Sequence, residues 1–598
     1  AITAAPHLEF AFPAAGRPGT TGKCTLYGRN LPGSDPARMV RVGNRLLETL
    51  EVEVSLPAEG TRLGSFGAAR SAFLPHLPYH LEAGPMRSNP LPIGVAGAPI
   101  VIEHEETGEA GQEVTLPCEV QGRFDRARDK DRFRFAARKD QDLWFGVVAE
   151  RMGTSSDPSL RIERAVKDEG GVEQFREVGA ADDLGNDPGE RYFPLSCRDA
   201  EMALKIPEDG IYRITIMNQT GSGGADQVYR LILREPQPDF DLVAVPSEQF
   251  RLQNRVDVLT PVLRPGGSAE LRVLALRREG FDGEIELAVD GLPPGVSCPP
   301  VKMGGGRTAT LSLVATSDAP RWDGLIRIRG VSGGLTRVAR LGAVPWPVND
   351  WSKQFFETRL GPSVPLSVTD AEKAPVTVQL PESRAIEIAM GEKLELPVRL
   401  VRNLPNTGEF VLRGDGLPHK TGELKLAGGS DQGALLIASG KPGEFPLEPG
   451  TWTFRIRAEG ASKYQPSQAD AMHARARHRR LVDRKREHLE QLARLKEARD
   501  QALQRLDEVQ RELGAGVDPD GSEKVREVRS QLAEAGEGLQ AARETALSLQ
   551  SEVVRAAADA KAAADLVKER DVRTVSYSDP ITITVNPAPD PDGQNPDP

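Results

Sequence analysis

EVRSQLAEAGEGLQAARETALSLQSEVVRAAADAKAAADLV, residues 527–567, carries an apolar residue at every third or fourth position almost without a break. From Val525 and Val528 the stripe runs through Leu532, Ala535, Leu539, Ala542, Ala546, Leu549, Val553, Ala556, Ala560 and Ala563 to Val567. A 3.5-residue repeat keeps one face of a helix turned toward a partner helix. Upstream, Val482, Leu489, Leu492, Leu503, Leu506 and Leu513 share one heptad register, with Lys485, Lys496, Arg499 and Gln510 at its other seam positions. This stretch is the rougher of two arms.

Ser467 with Asp470 reads as the N-cap of the first arm, Gly514 as its C-cap, and Val517 to Ser522 as a turn and second N-cap. So short a connection predicts an antiparallel coiled-coil hairpin over residues 467–571, with arms roughly 70 Å long at about 1.5 Å per residue. Ala469, Ala471, Ala474 and the run Ala556 to Ala564 let the arms approach closely at the base. The seam is core. Outward residues would select a partner, among them Arg475, Arg479, Arg494, Arg505, Glu527 and Glu534. His473, His478 and His488 lie among arginines on the first arm and read as part of a basic solvated face.

Around the hairpin the chain reads as β-structure. Among its 598 residues, 59 glycines and 47 prolines with only 5% aromatics fit many short strands joined by turns. The length allows roughly three to five domains. Residues 1–98 read as a small immunoglobulin-like β domain and 99–238 as a second β-sandwich. Residues 239–347 and 348–466 read as two further immunoglobulin-like sandwiches. Gly266, Gly283 and Gly291 recur 125 positions later as Gly391, Gly408 and Gly416, which argues for duplication. The last sandwich lacks a final strand until Pro580 to Val585, so residues 572–587 complete it and the hairpin is an insertion. The Pro/Asp-rich end, 588–598, reads as disordered. The fold class is mainly β: tandem β-sandwiches with a long helical hairpin inserted in the last.

A net charge of −11 argues against general nucleic-acid affinity, and no apolar run is long enough for a transmembrane helix. Beginning at Ala1 without methionine fits a form from which a signal peptide has been removed. Cys24, Cys118, Cys197 and Cys298 show no zinc-type spacing; Cys118 and Cys197, within one expected domain, are the pair available for a disulfide in an exported protein. His76 and His80 have metal-pair spacing, but Pro75 and Pro78 argue against the helix it needs. No nucleophile elbow, zinc-protease motif or phosphate loop is present. Asn218-Gln219-Thr220 is a formal glycosylation sequon that reads as a turn.

Asp129-Lys130-Asp131-Arg132-Phe133-Arg134-Phe135, Ser156-Asp157-Pro158-Ser159-Leu160, Asp182-Asp183, Pro207-Glu208-Asp209-Gly210-Ile211-Tyr212 and Tyr229-Arg230-Leu231 make residues 99–238 resemble the bacterial pre-peptidase C-terminal (PPC) domain. That resemblance implies a jelly-roll-like sandwich of exported proteins. It also implies a calcium site in the region of Glu103, Glu105, Glu106, Asp129 and Asp131, for which Glu103, Glu105, Asp129 and Asp131 are the candidate ligands; hard oxygen donors suit Ca²⁺. With the Phe12-Pro13-Ala14-Ala15-Gly16 and Gly28-Arg29-Asn30-Leu31-Pro32-Gly33 stretches, the whole order resembles exported multidomain proteins of planctomycete-type bacteria. From all this we expect a non-catalytic structural or assembly protein of the cell envelope, periplasmic or extracellular, which self-associates or meets an envelope partner through its hairpin. The alternative is a secreted adaptor for a polysaccharide or a partner enzyme. Paired carboxylates of a glycoside hydrolase would need a cleft formed across domains.

Overall fold

The computed structural model describes residues 5–35, 37–58, 67–68, 73–183, 193, 195–246, 260–343, 358–370, 373–380, 385–390, 392–403, 408–417, 422–438, 447, 449–464, 468–512, 523–567 and 570–587. The caps at Ser467 and Gly514, the turn 517–522, Leu513, Gly391 and the tail 588–598 lie outside them. The chain divides into two compact units: Ala1–Val262 with Glu270–Leu313 and Trp322–Ser367, and Leu263–Ala269 with Val314–Arg321 and Val368–Pro598.

In the first unit, a four-stranded sheet (His7–Phe12, Thr21–Arg29, Arg45–Ser55, Val40–Val42) and a three-stranded one (Ala15–Gly16, Leu91–Val95, His76–Tyr79) form the first sandwich. Leu8 and Val54 turn inward between more exposed neighbours, as alternation along a strand requires, whereas Leu26 and Ile93 are followed by the buried Tyr27 and Gly94. His76 sits on a strand, where its Nδ1 hydrogen-bonds the Leu74 carbonyl at 2.8 Å.

The second sandwich packs two five-stranded sheets. One runs Ile100–Ile102, Cys118–Arg123, Val228–Arg234, Asp142–Val148, Glu201–Lys205; the other Gln112–Glu113, Lys130–Ala137, Gly210–Asn218, Pro158–Lys167, Glu173–Ala181. Between them lie Phe124, Phe133, Phe135, Phe145, Tyr212 and Tyr229. Polar locks join it to the first sandwich. Gln121 exchanges both amide hydrogen bonds with the Ala15 backbone, at 2.9 and 3.0 Å, and the buried Arg230 pairs with Glu119 at 2.7 Å while reaching the Val95 carbonyl.

Cys118 and Cys197, the pair available for a disulfide, are not joined in the structure. Cys118 belongs to the second sandwich's core, whereas Cys197 lies outside that core, beside Arg151 and Asp199. Burial pushes both thiols up to about 11.

The third and fourth sandwiches share one plan, offset in sequence. Ser268–Arg278 corresponds to Lys393–Arg402, and Ile285–Asp290 to Phe410–Asp415. Arg277 donates to the carbonyls of Gly283, Gly304 and Gly306; Arg402 donates to those of Gly408 and Ser430 and to the Asp431 carboxylate. Gly291 and Gly416 both adopt positive φ, +79° and +101°, which a side chain would strain.

The copies differ at one turn. In the third, Trp322–Ser332 pairs antiparallel with Leu335–Val338 through a two-residue turn, Gly333-Gly334, both at positive φ. In the fourth, Gly450–Tyr464 pairs with Arg570–Tyr577, and the connection from Tyr464 to Arg570 holds two helices, Gln468–Glu512 and Glu523–Leu566. Residues 570–571, which the sequence pattern assigns to the hairpin, belong to the strand Arg570–Tyr577. It continues into Ile581–Asn586 after a break at Ser578, whose N–H donates to the Ile456 carbonyl as that of Ala339 donates to Ile328. The core beneath includes Phe410, Leu412, Phe454, Ile456 and Ile583.

Candidate functional site

Two places are candidates for chemistry or recognition. The first is an acidic pocket at the edge of the second sandwich. Glu103 follows the strand Ile100–Ile102, Glu105 opens a short 3₁₀ turn, and Asp129 and Asp131 flank the start of Lys130–Ala137. Glu103 accepts the Tyr229 hydroxyl at 2.9 Å and the Arg123 N–H at 2.8 Å. Gly122 is required here: a Cβ would stand 2.2 Å from the Glu103 carboxylate and 2.4 Å from the Tyr229 hydroxyl. Asp131 is 7% exposed, and its Oδ2 is sealed from solvent without a hydrogen-bond partner.

Burial, and then the neighbouring Glu103 charge, pushes Asp131 up to about 9; burial pushes Glu103 up to about 7. Glu105 is raised by burial and by Asp125 and Asp129. Asp129 accepts the Arg126 and Lys130 backbone N–H groups, each at 3.2 Å, as a turn aspartate does. A buried carboxylate, Asp131, beside a half-buried one, Glu103, is stable only if one of them holds a proton or a cation lies between them. Of the four candidate calcium ligands the fold brings Glu103 and Asp131 together, and no three of the four gather their oxygens within 4.8 Å of one another; the donors are all oxygen, the chemistry a hard cation prefers. Glu103 and Asp131 are the inner pair, and Glu105 and Asp129 stand at the rim.

Tyr229 and Gly122 were not singled out in the sequence as parts of this pocket. A glycine inside a strand is a signal of close approach; nothing local marks Tyr229. The fold also brings Asp157 beside Asp182 and Asp183, with ligand oxygens within 4.8 Å of one another. These three are half-buried to exposed, so solvent satisfies them. Asn218 of the sequon is buried: its amide donates to the Ser222 carbonyl and accepts the Asp157 N–H, both at 3.0 Å.

The second place is the hairpin. The second arm's seam is the one read from the sequence: Val525, Leu539, Ala542, Leu549, Ala556 and Ala560 are buried. The first arm's seam is shifted by one residue at alternate positions. It runs Ala471, Ala474, His478, Leu481, Lys485, His488, Leu492, Leu495, Arg499, Ala502, Leu506, Val509, all buried or half-buried. Val482, Leu489 and Leu503 face outward instead. The reason is desolvation. The expected register placed Lys496 and Gln510 in the seam as well as Lys485 and Arg499; the observed one replaces them with Leu495 and Val509.

His478 and His488 belong to the seam rather than to a solvated basic face, and the His488 Nε2 reaches the Ala542 carbonyl at 3.0 Å. Arg475, Arg479, Arg494, Arg505, Glu527 and Glu534 are all exposed. They divide between two faces: Arg475 and Arg479 on one, the other four on the opposite one. Arg477 and Asp559, 4.0 Å apart, tie the arms on the latter side. Among the described residues, no helix is long and apolar enough to cross a membrane.

No protein-family model matches this chain, and no curated protein matches it. Solved structures resemble parts of it. The pre-peptidase C-terminal domain of a collagenase from Bacillus anthracis is 11% identical, covering 21% of this chain and 94% of that one, at a TM-score of 0.15. The D0-D1 domain of intimin is 10% identical over 36% of this chain and 89% of that one, at 0.13. A tetra-tandem repeat from the extending region of a large adhesion protein is 10% identical over 76% and 94%, also at 0.13. At such scores the architecture rests on the chain's own sheet orders and registers.

Proposed function

We propose that this chain is a non-catalytic, exported structural protein of the cell envelope that assembles through its hairpin. The observation that carries this is the mounting. Both hairpin ends leave from paired strands of one sheet, Tyr464 opposite Arg570. Tyr464 lies eight residues beyond Ile456, whereas Ser332 lies four beyond Ile328, so the supporting ribbon is four residues longer than its counterpart, about 13 Å. A helical pair of 45 and 44 residues held at both ends is a projecting strut, and its apolar outward residues are unusual on a solvated arm.

The test compares solution mass by light scattering for the full chain and for one whose residues 465–569 are replaced by Gly-Gly, the turn the third sandwich uses. A defined oligomer only with the hairpin supports assembly. Monomers in both point to a foreign partner and the adaptor role.

The acidic pocket, in this reading, binds Ca²⁺ and stiffens the second sandwich. Both inner carboxyls have raised values, so the cation-free fold binds more protons than the unfolded chain. The contribution of this pair to stability is fully present below the ordinary carboxylate range and is lost as pH rises through the raised values. Calcium would offset that loss. The melting-temperature gain from CaCl₂ over EGTA should therefore be larger at pH 8 than at pH 5, and vanish in Glu103→Gln/Asp131→Asn. An equal gain in wild type and variant would remove the site.

A further inference from the structure

The hairpin's outward apolar residues are not scattered. Met472, Val482, Leu489 and Leu503 on the first arm and Leu547 and Val554 on the second are 40–71% exposed, and every one flanks the seam on the same side. On that face the first arm also carries a stripe one residue past alternate seam positions, seven residues apart: Arg479, Arg486, Ala493, Asp500, Asp507. Two cations, a small residue, then two anions is a sequence that complements its own reversal.

We propose that this face is the dimer interface, and that its occupant is the same helix of a second copy, packed antiparallel about a two-fold axis at Ala493. This rests on the assembly reading above and adds the face, direction and symmetry. In that register Arg479 meets Asp507 of the second copy and Arg486 meets Asp500, each pair occurring twice. Val482 falls against Leu503 of the second copy, and Ala493 lets the helices approach at the axis. A parallel pairing would set arginine against arginine. Of the existing contacts on the stripe, Arg486 with Asp483 at 2.9 Å is solvated and exchanges at little cost, while the half-buried seam residue Arg499 holds Asp500 through Oδ1 alone, at 2.6 and 3.1 Å, so Asp500 can meet Arg486 through its other oxygen. Overlap of residues 474–512 gives about 58 Å of helix; a strip roughly 10 Å wide buries on the order of 1,200 Å² in all, the lower end of a stable interface.

The test is charge exchange in the full chain, read by sedimentation. Arg479→Glu/Arg486→Glu should weaken the dimer about ten- to a hundredfold, and Asp500→Arg/Asp507→Arg likewise. Mixing these two variants should give heterodimers, because every opposed pair is again complementary. All four substitutions in one chain should restore the homodimer. Ala493→Cys should cross-link two copies through this one position. If wild type assembles only with its hairpin and neither charge variant alters the dimer, this interface is wrong while hairpin assembly stands. If wild type is monomeric, both fall.

Discussion

The third and fourth sandwiches are built alike and finished differently. One closes its last ribbon with Gly333-Gly334; the other opens the equivalent place and sends out 105 residues, 465–569, before resuming the same strand path. The difference teaches where this fold tolerates growth. Paired strands on either side fix the ends at hairpin spacing, so the inserted piece needs only to begin and end side by side. An antiparallel helical pair does this. The sandwich core does not participate, as shown by the equivalent arginine anchors, Arg277 and Arg402, beneath both versions.

The largest expected effect tests whether the cores are equally committed. Phe410→Ala empties a fully buried site and should cost about 3–5 kcal/mol; its counterpart Ile285→Ala should cost about 2–5, both by chemical denaturation. Equal small losses would mean that the two cores are loosely packed. Next come the anchors. Arg402→Ala and Arg277→Ala each remove hydrogen bonds to backbone carbonyls from a half-buried side chain and should each cost about 1–3 kcal/mol, by the same denaturation measurement. Gly416→Ala and Gly291→Ala should each cost about 1 kcal/mol, since both force a side chain into positive φ. The smallest effect belongs to the hairpin itself. Replacing residues 465–569 by Gly-Gly should leave the fourth sandwich's stability nearly unchanged, because the folded helical pair holds its own ends side by side as the turn does and is not closed as a flexible loop, which would cost about 3.5 kcal/mol more than a two-residue turn. A sandwich that unfolds without its hairpin would break the comparison outright.

Much of this was legible in one dimension. Heptad spacing dictated the second arm's seam, since Val525 to Val567 offers one apolar face and no rival. The 125-residue recurrence announced the duplicated sandwich, because glycines at turns repeat only when the turns do. The acidic residues near Asp129 were candidate ligands only by resemblance, and of the four the fold brings Glu103 and Asp131 into contact. The first arm was ambiguous: two stripes one residue apart share Lys485, Leu492, Arg499 and Leu506, and sequence periodicity does not weigh the desolvation of Lys496. Only the second arm, packed against it, selected Leu481, Leu495 and Val509. The orphaned Asp131 oxygen, the Tyr229 hydroxyl on Glu103 and the room left by Gly122 likewise belong to the tertiary structure, for they join strands more than a hundred residues apart. Periodicity is a property of one chain segment and can be read from it; burial of a charge depends on what lies opposite, and that is set only when the segments meet.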